Sequence, residues 1–229
     1  MGEECTWGET GLVSKKVLIL VEGQTEETFC KEVLARHLAR YDIFPQPTLV
    51  STRRKGGQQV YGGGVRSYAQ IKKDLLILCK EIDAVAITTM LDFYRYPKDA
   101  PGYESLPSGS CYLQVRHLEE QMAVDIQDER LIPNLLLHEF EALLFSDPEK
   151  FETWFPGQAR INKLLSIKKN YPNPEWINKK LPPSKRILAI YPGYQKVLHG
   201  NQLALEIGLD VIRDFCPHFK EWLQKLEAL

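Results

Sequence analysis

The feature that most constrains the fold is an apolar run that ends on an acid. In KVLILVEGQTEETF, five apolar residues (17–21) are followed directly by Glu22 and then by a glycine. A continuous apolar run rich in β-branched residues is typical of a central strand covered on both faces. Thr25 suits a helix N-cap, and apolar residues follow it at helical spacing. This stretch therefore predicts a buried strand that leads through a short turn into a helix.

The same alternation continues along the chain. Further strands are predicted at residues 46–54, 84–91 and 130–137, and further helices at residues 68–81 and 111–126. Strands that alternate with helices predict a three-layer α/β fold with a mostly parallel sheet. From about Asp147 the chain becomes helical, with many prolines and no clear strand. We therefore expect a polar tail at residues 1–14, an α/β domain at 15–147, and a helical C-terminal portion at 148–229 packed on the same domain.

Composition excludes several classes of protein. The 229 residues are 44% apolar and 26% charged, as in ordinary globular proteins. No stretch approaches the ~20 apolar residues of a membrane helix, and the N-terminus lacks the basic start and apolar run of a signal peptide, so we expect a cytoplasmic protein. The five cysteines are scattered, which argues against a disulfide framework or a zinc site. A net charge of -1 gives no global attraction to nucleic acid, so binding would need local patches or a metal.

Acids follow three of the predicted strands. Glu22 comes after the first strand, Asp92 after the third, and His138, Glu139 and Glu141 after the fourth. Ligands bind beyond the carboxyl ends of the strands in open α/β sheets, so these acids should meet at one edge. Carboxylates gathered there repel one another unless a cation neutralises them, and oxygen ligands suit Mg²⁺ or Mn²⁺. Such a metal can activate water for phosphodiester cleavage.

A purely structural interpretation of the acids stands beside the functional one. Acids in a first helical turn are stabilised by the helix dipole by roughly 0.3–1 kcal/mol, which could account for Glu26, Glu27, Glu139 and Glu141. Helix geometry separates Glu139 from Glu141 by about 200°, so a helix that had already begun would bring only one of them to the site. If the strand continues past Leu137, either could reach it. His138 is more typical of a hydrogen-bonded residue at a helix start than of a metal ligand.

Four motifs carry a family resemblance. VEGQTEETF, TTMLDFY, HEFEALLFSDP and PSKRI, in this order, resemble a family of small bacterial TOPRIM-like proteins known as domain of unknown function 4276, from about residue 15 to the C-terminus. LILVEGQTEE and AITTMLDFY are also similar to the TOPRIM domain of topoisomerases, primases and nucleases of the overcoming-lysogenization-defect (OLD) type. The resemblance implies a TOPRIM or Rossmann-like sheet and a Mg²⁺- or Mn²⁺-dependent nuclease. It further implies a role in bacterial defence with an ABC- or SMC-type ATPase supplied by another chain.

The resemblance assigns roles to individual acids. Glu22 matches the TOPRIM glutamate, a general acid/base or metal ligand. Glu26 matches an acid that OLD-type nucleases place four residues later, with Glu27 as the alternative, and Asp92 matches the first acid of a D-x-D pair of metal ligands. Tyr94 stands where the second acid should be, so the site would hold one metal or recruit a later acid.

The last part of the sheet and the C-terminal portion supply the remaining candidates. Glu139 and Glu141 resemble the later acid of OLD-type nucleases, with Glu139 slightly preferred because it is nearer the strand end. Lys185 resembles the lysine that stabilises transition-state charge, although a solvated lysine in a first helical turn would look the same.

A glycine-rich basic loop suggests where nucleic acid could bind. Its phosphate-binding candidates are Arg53, Arg54, Lys55 and Arg66, with Tyr61 available for stacking on a base. A flexible loop without a ligand is the alternative. For the whole chain, the alternative to a nuclease is a catalytically weakened TOPRIM domain that serves as a nucleic-acid-binding or regulatory subunit, which Tyr94 favours. A third possibility is recognition of RNA or tRNA through the basic loop.

Overall fold

A parallel sheet forms the centre of the computed structural model, which describes residues 14–51, 53–55, 58–60, 65, 67–177 and 181–229. The predicted N-terminal tail lies outside these residues except for Ser14. Its strands are β1 Lys15–Val21, β2 Ile43–Leu49, β5 Ala84–Asp92, β6 Leu131–Ile132 and β7 Leu135–Leu136; β3 Arg53–Lys55 and β4 Gln58–Val60 form a separate antiparallel pair. The strands of the sheet run in the order β2-β1-β5-β6, and β7 also pairs with β5. All four pairings in this sheet are parallel.

The described chain also contains ten α-helices. They are α1 Gln24–Phe29, α2 Ala35–Leu38, α3 Tyr68–Leu78, α4 Cys111–Ile126, α5 Phe151–Trp154, α6 Gln158–Lys169, α7 Pro183–Ile190, α8 Asn201–Ile207, α9 Leu209–Phe215 and α10 Pro217–Glu227. The first of them, α1, passes through a π-helical segment, Cys30–Leu34, into α2. A second π-helical segment spans Lys196–Gly200, and 3₁₀ turns span Ala39–Tyr41, Phe93–Arg95, Phe140–Ser146, Pro148–Lys150 and Pro174–Trp176.

The sheet separates two hydrophobic cores. Successive side chains of a strand point to opposite faces, so Val17 and Ile19 of β1 enter one core while Leu18 and Leu20 enter the other. The first core also contains residues of α1 and of the C-terminal helices α8, α9 and α10, and the second contains residues of α3 and α4. Helices therefore cover both faces of a parallel sheet, which confirms the predicted three-layer α/β fold with a helical C-terminal portion.

The C-terminal helices share their core with the sheet. Leu203, Ile212 and Trp222 are buried in the same cluster as the strand residues Val17 and Ile19. The indole Nε1 of Trp222 also donates a hydrogen bond to Thr88 Oγ1 of β5 at 2.8 Å. In the part of the chain that the structure describes, no helix combines the length and apolar character needed to cross a membrane.

The fourth predicted strand is broken into two short pieces. Pro133 lacks a backbone N–H and cannot donate to a strand ladder. Beside it, Asn134 bonds to Thr89 instead: its N–H donates to Thr89 Oγ1 at 2.9 Å and its Nδ2 to Thr89 O at 3.2 Å. The continuous strand predicted for residues 130–137 is therefore replaced by β6 and β7, which pair with different parts of β5.

Other boundaries also differ from the sequence prediction. The first helix begins at Gln24 with Gly23 at the N-cap, so Thr25 lies inside the helix and does not cap it. The second strand spans Ile43–Leu49 where residues 46–54 were predicted, and the helix predicted at 68–81 ends at Leu78. The backbone of residues 53–55 pairs with that of residues 58–60, which belong to the glycine-rich segment predicted as a loop.

Candidate functional site

Glu22 and Asp92 are joined at the carboxyl edge of the sheet. Val21 is in register with Met90, and the N–H of Glu22 continues the pairing by donating to Met90 O at 3.2 Å. The Glu22 side chain turns back across the strand ends, where its Oε2 accepts a hydrogen bond from the N–H of Asp92 at 3.1 Å. The two acids that follow central strands are therefore in direct contact through side chain and backbone.

The later acids arrive at the same edge through β7. Leu136 of β7 is in register with Asp92, and His138 O accepts a hydrogen bond from Tyr94 N at 3.0 Å. His138 has a φ of 69°, in the left-handed region that non-glycine residues seldom adopt. The 3₁₀ turn that follows holds both Glu139 and Glu141 in buried positions. The chain therefore delivers both acids to the interior, where a helix that had already begun at Glu139 was expected to deliver one.

Glu139 and Glu141 have different partners in the C-terminal portion. Oε2 of Glu139 accepts a hydrogen bond from Ser184 N in the first turn of α7 at 3.1 Å. Oε1 of Glu141 lies 3.0 Å from Nζ of Lys196, and the side chain of Glu141 is 2% exposed while that of Lys196 is 45% exposed. The C-terminal helices therefore close over the acids with one backbone donor and one ammonium group.

The electrostatics show that these acids share one environment. Burial raises the pKa of Asp92 well above its usual range, and the negative charges of Glu22, Glu26, Glu141 and Glu139 raise it further. Burial also raises the pKa of Glu22, although hydrogen bonds from the backbone of Asp92 and Val65 and the positive charges of Arg95 and Lys196 oppose the rise. The acids are thus held together at an electrostatic cost, which a bound cation would relieve.

Glu26 is the buried acid of the first helix. Burial, with the charges of Glu22 and Glu141, raises its pKa to about 7. A Cβ atom at Gly23 would lie 3.2 Å from Oε2 of Glu26, so the glycine after Glu22 leaves room for this carboxylate. Glu27, the alternative candidate, forms an ion pair with Lys31 one turn later at 2.6 Å, and its side chain is 24% exposed.

The chemistry of the donor set fits a hard divalent cation. The ligands would be carboxylate oxygens, and Oδ1 of Asp92 is buried with no hydrogen-bond partner among the described residues. Among those residues, however, no three acidic, histidine or cysteine side chains already lie close enough together to form a metal-binding group. Binding a cation would therefore require the carboxylates to converge, and Glu141 would have to be shared with Lys196 or released from it.

The remaining sequence candidates lie apart from this cluster or outside the described residues. Lys185 is exposed, and no ion pair between it and the acids is found in the described part of the chain, although its neighbour Ser184 contacts Glu139. Tyr94 is 39% exposed. The basic loop predicted to bind phosphate cannot be placed: Arg66 lies outside the described residues, as do the side chains of Arg53, Arg54 and Lys55.

Two residues near the acids were missed by sequence reasoning. Lys196 lies far along the chain in a helical region with no motif of its own. Tyr194 is buried, and the pKa of its hydroxyl is raised well above its usual range by burial and by the charges of Glu141 and Glu139. Only the packing of the C-terminal portion over the sheet edge brings these residues to the acids.

Fold and site together define an α/β protein with a cluster of buried carboxylates at the carboxyl edge of a parallel sheet. The chain belongs to the family described as Domain of unknown function (DUF4276), which matches residues 21–227. No curated protein and no solved structure matches the chain significantly.

Proposed function

We propose that this protein is a metal-dependent nuclease that hydrolyses nucleic-acid phosphodiesters and that its sheet is of the TOPRIM type. The observation that carries the proposal is the contact between Glu22 and Asp92 at the ends of two neighbouring parallel strands. The negative charges of Glu26, Glu139 and Glu141 also raise the pKa of Asp92, so these acids belong to the same cluster. Unrelated structural acids would be expected to spread over the surface, where water stabilises their charge.

Glu22, Glu26, Asp92 and Glu141 are the residues that would hold Mg²⁺ or Mn²⁺. When bound, the metal would supply Lewis acidity to a phosphate oxygen and lower the pKa of a water molecule. In the metal-free protein Glu26 has a pKa raised to about 7, so it must lose a proton near neutral pH before it can bind the metal. Glu139 keeps α7 in place over the site through Ser184 and would be an indirect contributor.

The resemblance to OLD-type nucleases also suggests a biological role. It supports a role in bacterial defence, in which an ABC- or SMC-type ATPase from another chain would control access to the site. The net charge of -1 is consistent with a subunit that depends on a partner to hold nucleic acid firmly.

The second candidate is a catalytically weakened domain that binds nucleic acid or regulates a partner. Two observations favour it: Tyr94 occupies the position of the second acid, and the ammonium group of Lys196 already neutralises Glu141. In this case the acid cluster would be an inherited structural feature with little affinity for metal.

Cleavage assays separate the two candidates. Purified protein is incubated with supercoiled plasmid or total tRNA, in Mn²⁺ or in EDTA, beside the variants Glu22→Gln and Asp92→Asn. The nuclease proposal expects metal-dependent cleavage that falls by at least about 100-fold in both variants, because each removes a carboxylate from the metal. Asp210→Asn, at an exposed position of α9, is the matched control and should cleave like the wild type.

The outcomes assign the function directly. Cleavage that survives both site variants would place the activity elsewhere. If the wild type does not cleave, calorimetry with Mn²⁺ distinguishes a site that needs its partner, which still binds the metal, from a weakened domain, which does not.

A further inference from the structure

A groove on the surface is lined in part by Lys196, the residue that contacts Glu141 of the acid cluster. It has a volume of about 620 Å³ and lies between the first helix and the start of α8. This volume is within the range of roughly 300–1,000 Å³ that is usual for ligand sites. We call it the Lys196 groove; it is lined by Thr28, Glu32, Arg36, Gln195, Lys196, Val197, Leu198, Asn201, Gln202 and Leu205.

Lys196 connects the groove with the acids. It lines the groove, its side chain is 45% exposed, and its Nζ lies 3.0 Å from Oε1 of the buried Glu141. A ligand bound in the groove can therefore contact this ammonium group beside the buried carboxylate. An ammonium group bordering buried carboxylates is suited to hold a phosphate that would otherwise be repelled by them.

The remainder of the groove offers apolar surface and amides. Val197, Leu198 and Leu205 are 40%, 50% and 36% exposed, so the groove presents aliphatic surface to water. Asn201 at its floor is 3% exposed, and its Oδ1 has no hydrogen-bond donor among the described residues. The charges at the rim, Glu32 and Arg36, form an ion pair with each other at 3.5 Å.

We propose that the Lys196 groove receives an unpaired nucleic-acid strand and that Lys196 anchors the phosphate at its inner end. The inference rests on the proposed function and names its substrate class. The bases of an unpaired strand are free to pack against the exposed Val197, Leu198 and Leu205, whereas the bases of a duplex are stacked and paired.

Binding of a short fluorescent oligonucleotide, single-stranded or annealed to its complement, tests the proposal. Anisotropy is measured in Ca²⁺ between about 50 and 200 mM salt, and a gel checks that the strand remains intact. The single strand should bind more tightly than the duplex. Lys196→Met should weaken binding about tenfold and lower the slope of log affinity against log salt by about one, because one phosphate contact is lost. Lys196→Arg should retain the slope.

Two further variants give the controls. Leu198→Gln, at an exposed position, should weaken binding of the single strand without changing the salt slope, because it removes apolar contact and no charge. Lys73→Met, at an exposed position of α3 on the other side of the sheet, should change neither quantity. If Lys196→Met does not fold because Glu141 loses its partner, the comparison of Lys196→Gln/Glu141→Gln with Glu141→Gln isolates the same effect.

The proposal is overturned if Lys196→Met leaves the salt slope unchanged, if the duplex binds as tightly as the single strand, or if the wild type does not bind the strand. Unchanged binding by Leu198→Gln would also overturn it and would leave the apolar wall for a protein partner. If the wild type cleaves plasmid or tRNA but Lys196→Met leaves the salt dependence of binding unchanged, only this inference is wrong and the proposed nuclease function stands. Binding that depends on Lys196, without cleavage and without binding of Mn²⁺, would remove only the nuclease.

Discussion

At the scale of single residues, the acid that follows β1 has a structural task beside the chemical one proposed for it. Oε2 of Glu22 accepts a hydrogen bond from Asp92 N, so the carboxylate ties together the ends of two neighbouring strands. A serine or lysine at the same position could not accept this bond and also contribute a negative charge to the cluster. The cost appears in the raised pKa values of Glu22 and Asp92, which makes the site sensitive to pH.

The pKa of Glu26 predicts an unusual dependence of stability on pH. Because it is raised from 4.5 to about 7, the folded chain retains a proton that the unfolded chain releases between these pH values. The free energy of unfolding of the metal-free protein should therefore fall as pH rises through this window. Glu26→Gln cannot ionise, so at about pH 8 it should be more stable than the wild type, on the order of 3 kcal/mol, with no difference near pH 4.5.

Urea denaturation at a series of pH values in EDTA measures the effect of Glu26→Gln. Glu32→Gln, which removes an exposed acid of the neighbouring turn, serves as the control and should follow the wild-type profile. If Glu26→Gln and the wild type show the same dependence of unfolding free energy on pH, the ionised form of Glu26 is not destabilised in the folded state.

The close approach of Gly200 to Tyr194 predicts a pair of compensating substitutions. A Cβ atom at Gly200 would lie 2.8 Å from the Tyr194 hydroxyl oxygen, which is buried without a hydrogen-bond partner among the described residues. Gly200→Ala should therefore destabilise the protein by about 1–3 kcal/mol through overpacking. In the Tyr194→Phe background the same substitution should cost much less, because the nearest remaining atoms, Phe140 Cε1 at 3.5 Å and Tyr194 Cζ at 3.9 Å, are in ordinary van der Waals contact. A double-mutant cycle by thermal denaturation measures the coupling, and additive effects would contradict it.

At the scale of elements, local patterns predicted those that depend on local sequence. The apolar runs of β1 and β5 and the helical periodicity of α4 are readable without the fold, and α4 spans the predicted residues 111–126. The break between β6 and β7 depends on Asn134 finding Thr89 on another strand. The positions of Glu139 and Glu141 depend in the same way on contacts with Ser184 and Lys196. Sequence periodicity reports only on neighbouring residues, so it cannot predict these contacts between distant segments.

The first turn of α10 depends on a carboxylate from another element. Glu175 is 3% exposed, and it accepts hydrogen bonds from His218 N at 3.0 Å, Phe219 N at 2.9 Å and the Tyr112 hydroxyl at 2.6 Å. In Glu175→Gln the amide nitrogen cannot accept from a backbone N–H, so at least one buried donor loses its partner. We expect a loss of about 1–3 kcal/mol in the free energy of unfolding.

Glu152→Gln is the matched comparison for Glu175→Gln. Glu152 also accepts a hydrogen bond from a backbone N–H next to a helix, that of Gly157 at 3.0 Å, but at an exposed position where water can replace it. Chemical denaturation of the two variants should show the larger loss for Glu175→Gln. Equal losses would mean that burial of Glu175 adds nothing to the bond.

At the scale of the whole molecule, the C-terminal portion completes the site that the sheet begins. The sheet brings Glu22 and Asp92 to one edge, and the helices that share its first core carry Ser184, Tyr194 and Lys196 over that edge. A site assembled from both parts links the stability of the molecule to whatever occupies it. Burial of the acids thus lowers the free energy of unfolding of the metal-free protein at neutral pH. A bound cation would restore part of that free energy by neutralising the carboxylates.

Divalent cations should therefore stabilise the whole fold in a pH-dependent way. A cation that binds the folded state at 100 times its Kd raises the free energy of unfolding by about 2.7 kcal/mol. Protons compete with it, and with the pKa of Glu26 near 7 the gain from Mn²⁺ should shrink as pH falls from about 8 to 6. The rise in Tm on adding Mn²⁺, measured by differential scanning fluorimetry, should disappear in Asp92→Asn and persist in Asp210→Asn. An equal rise in both variants would place the cation elsewhere, because only Asp92 belongs to the buried cluster.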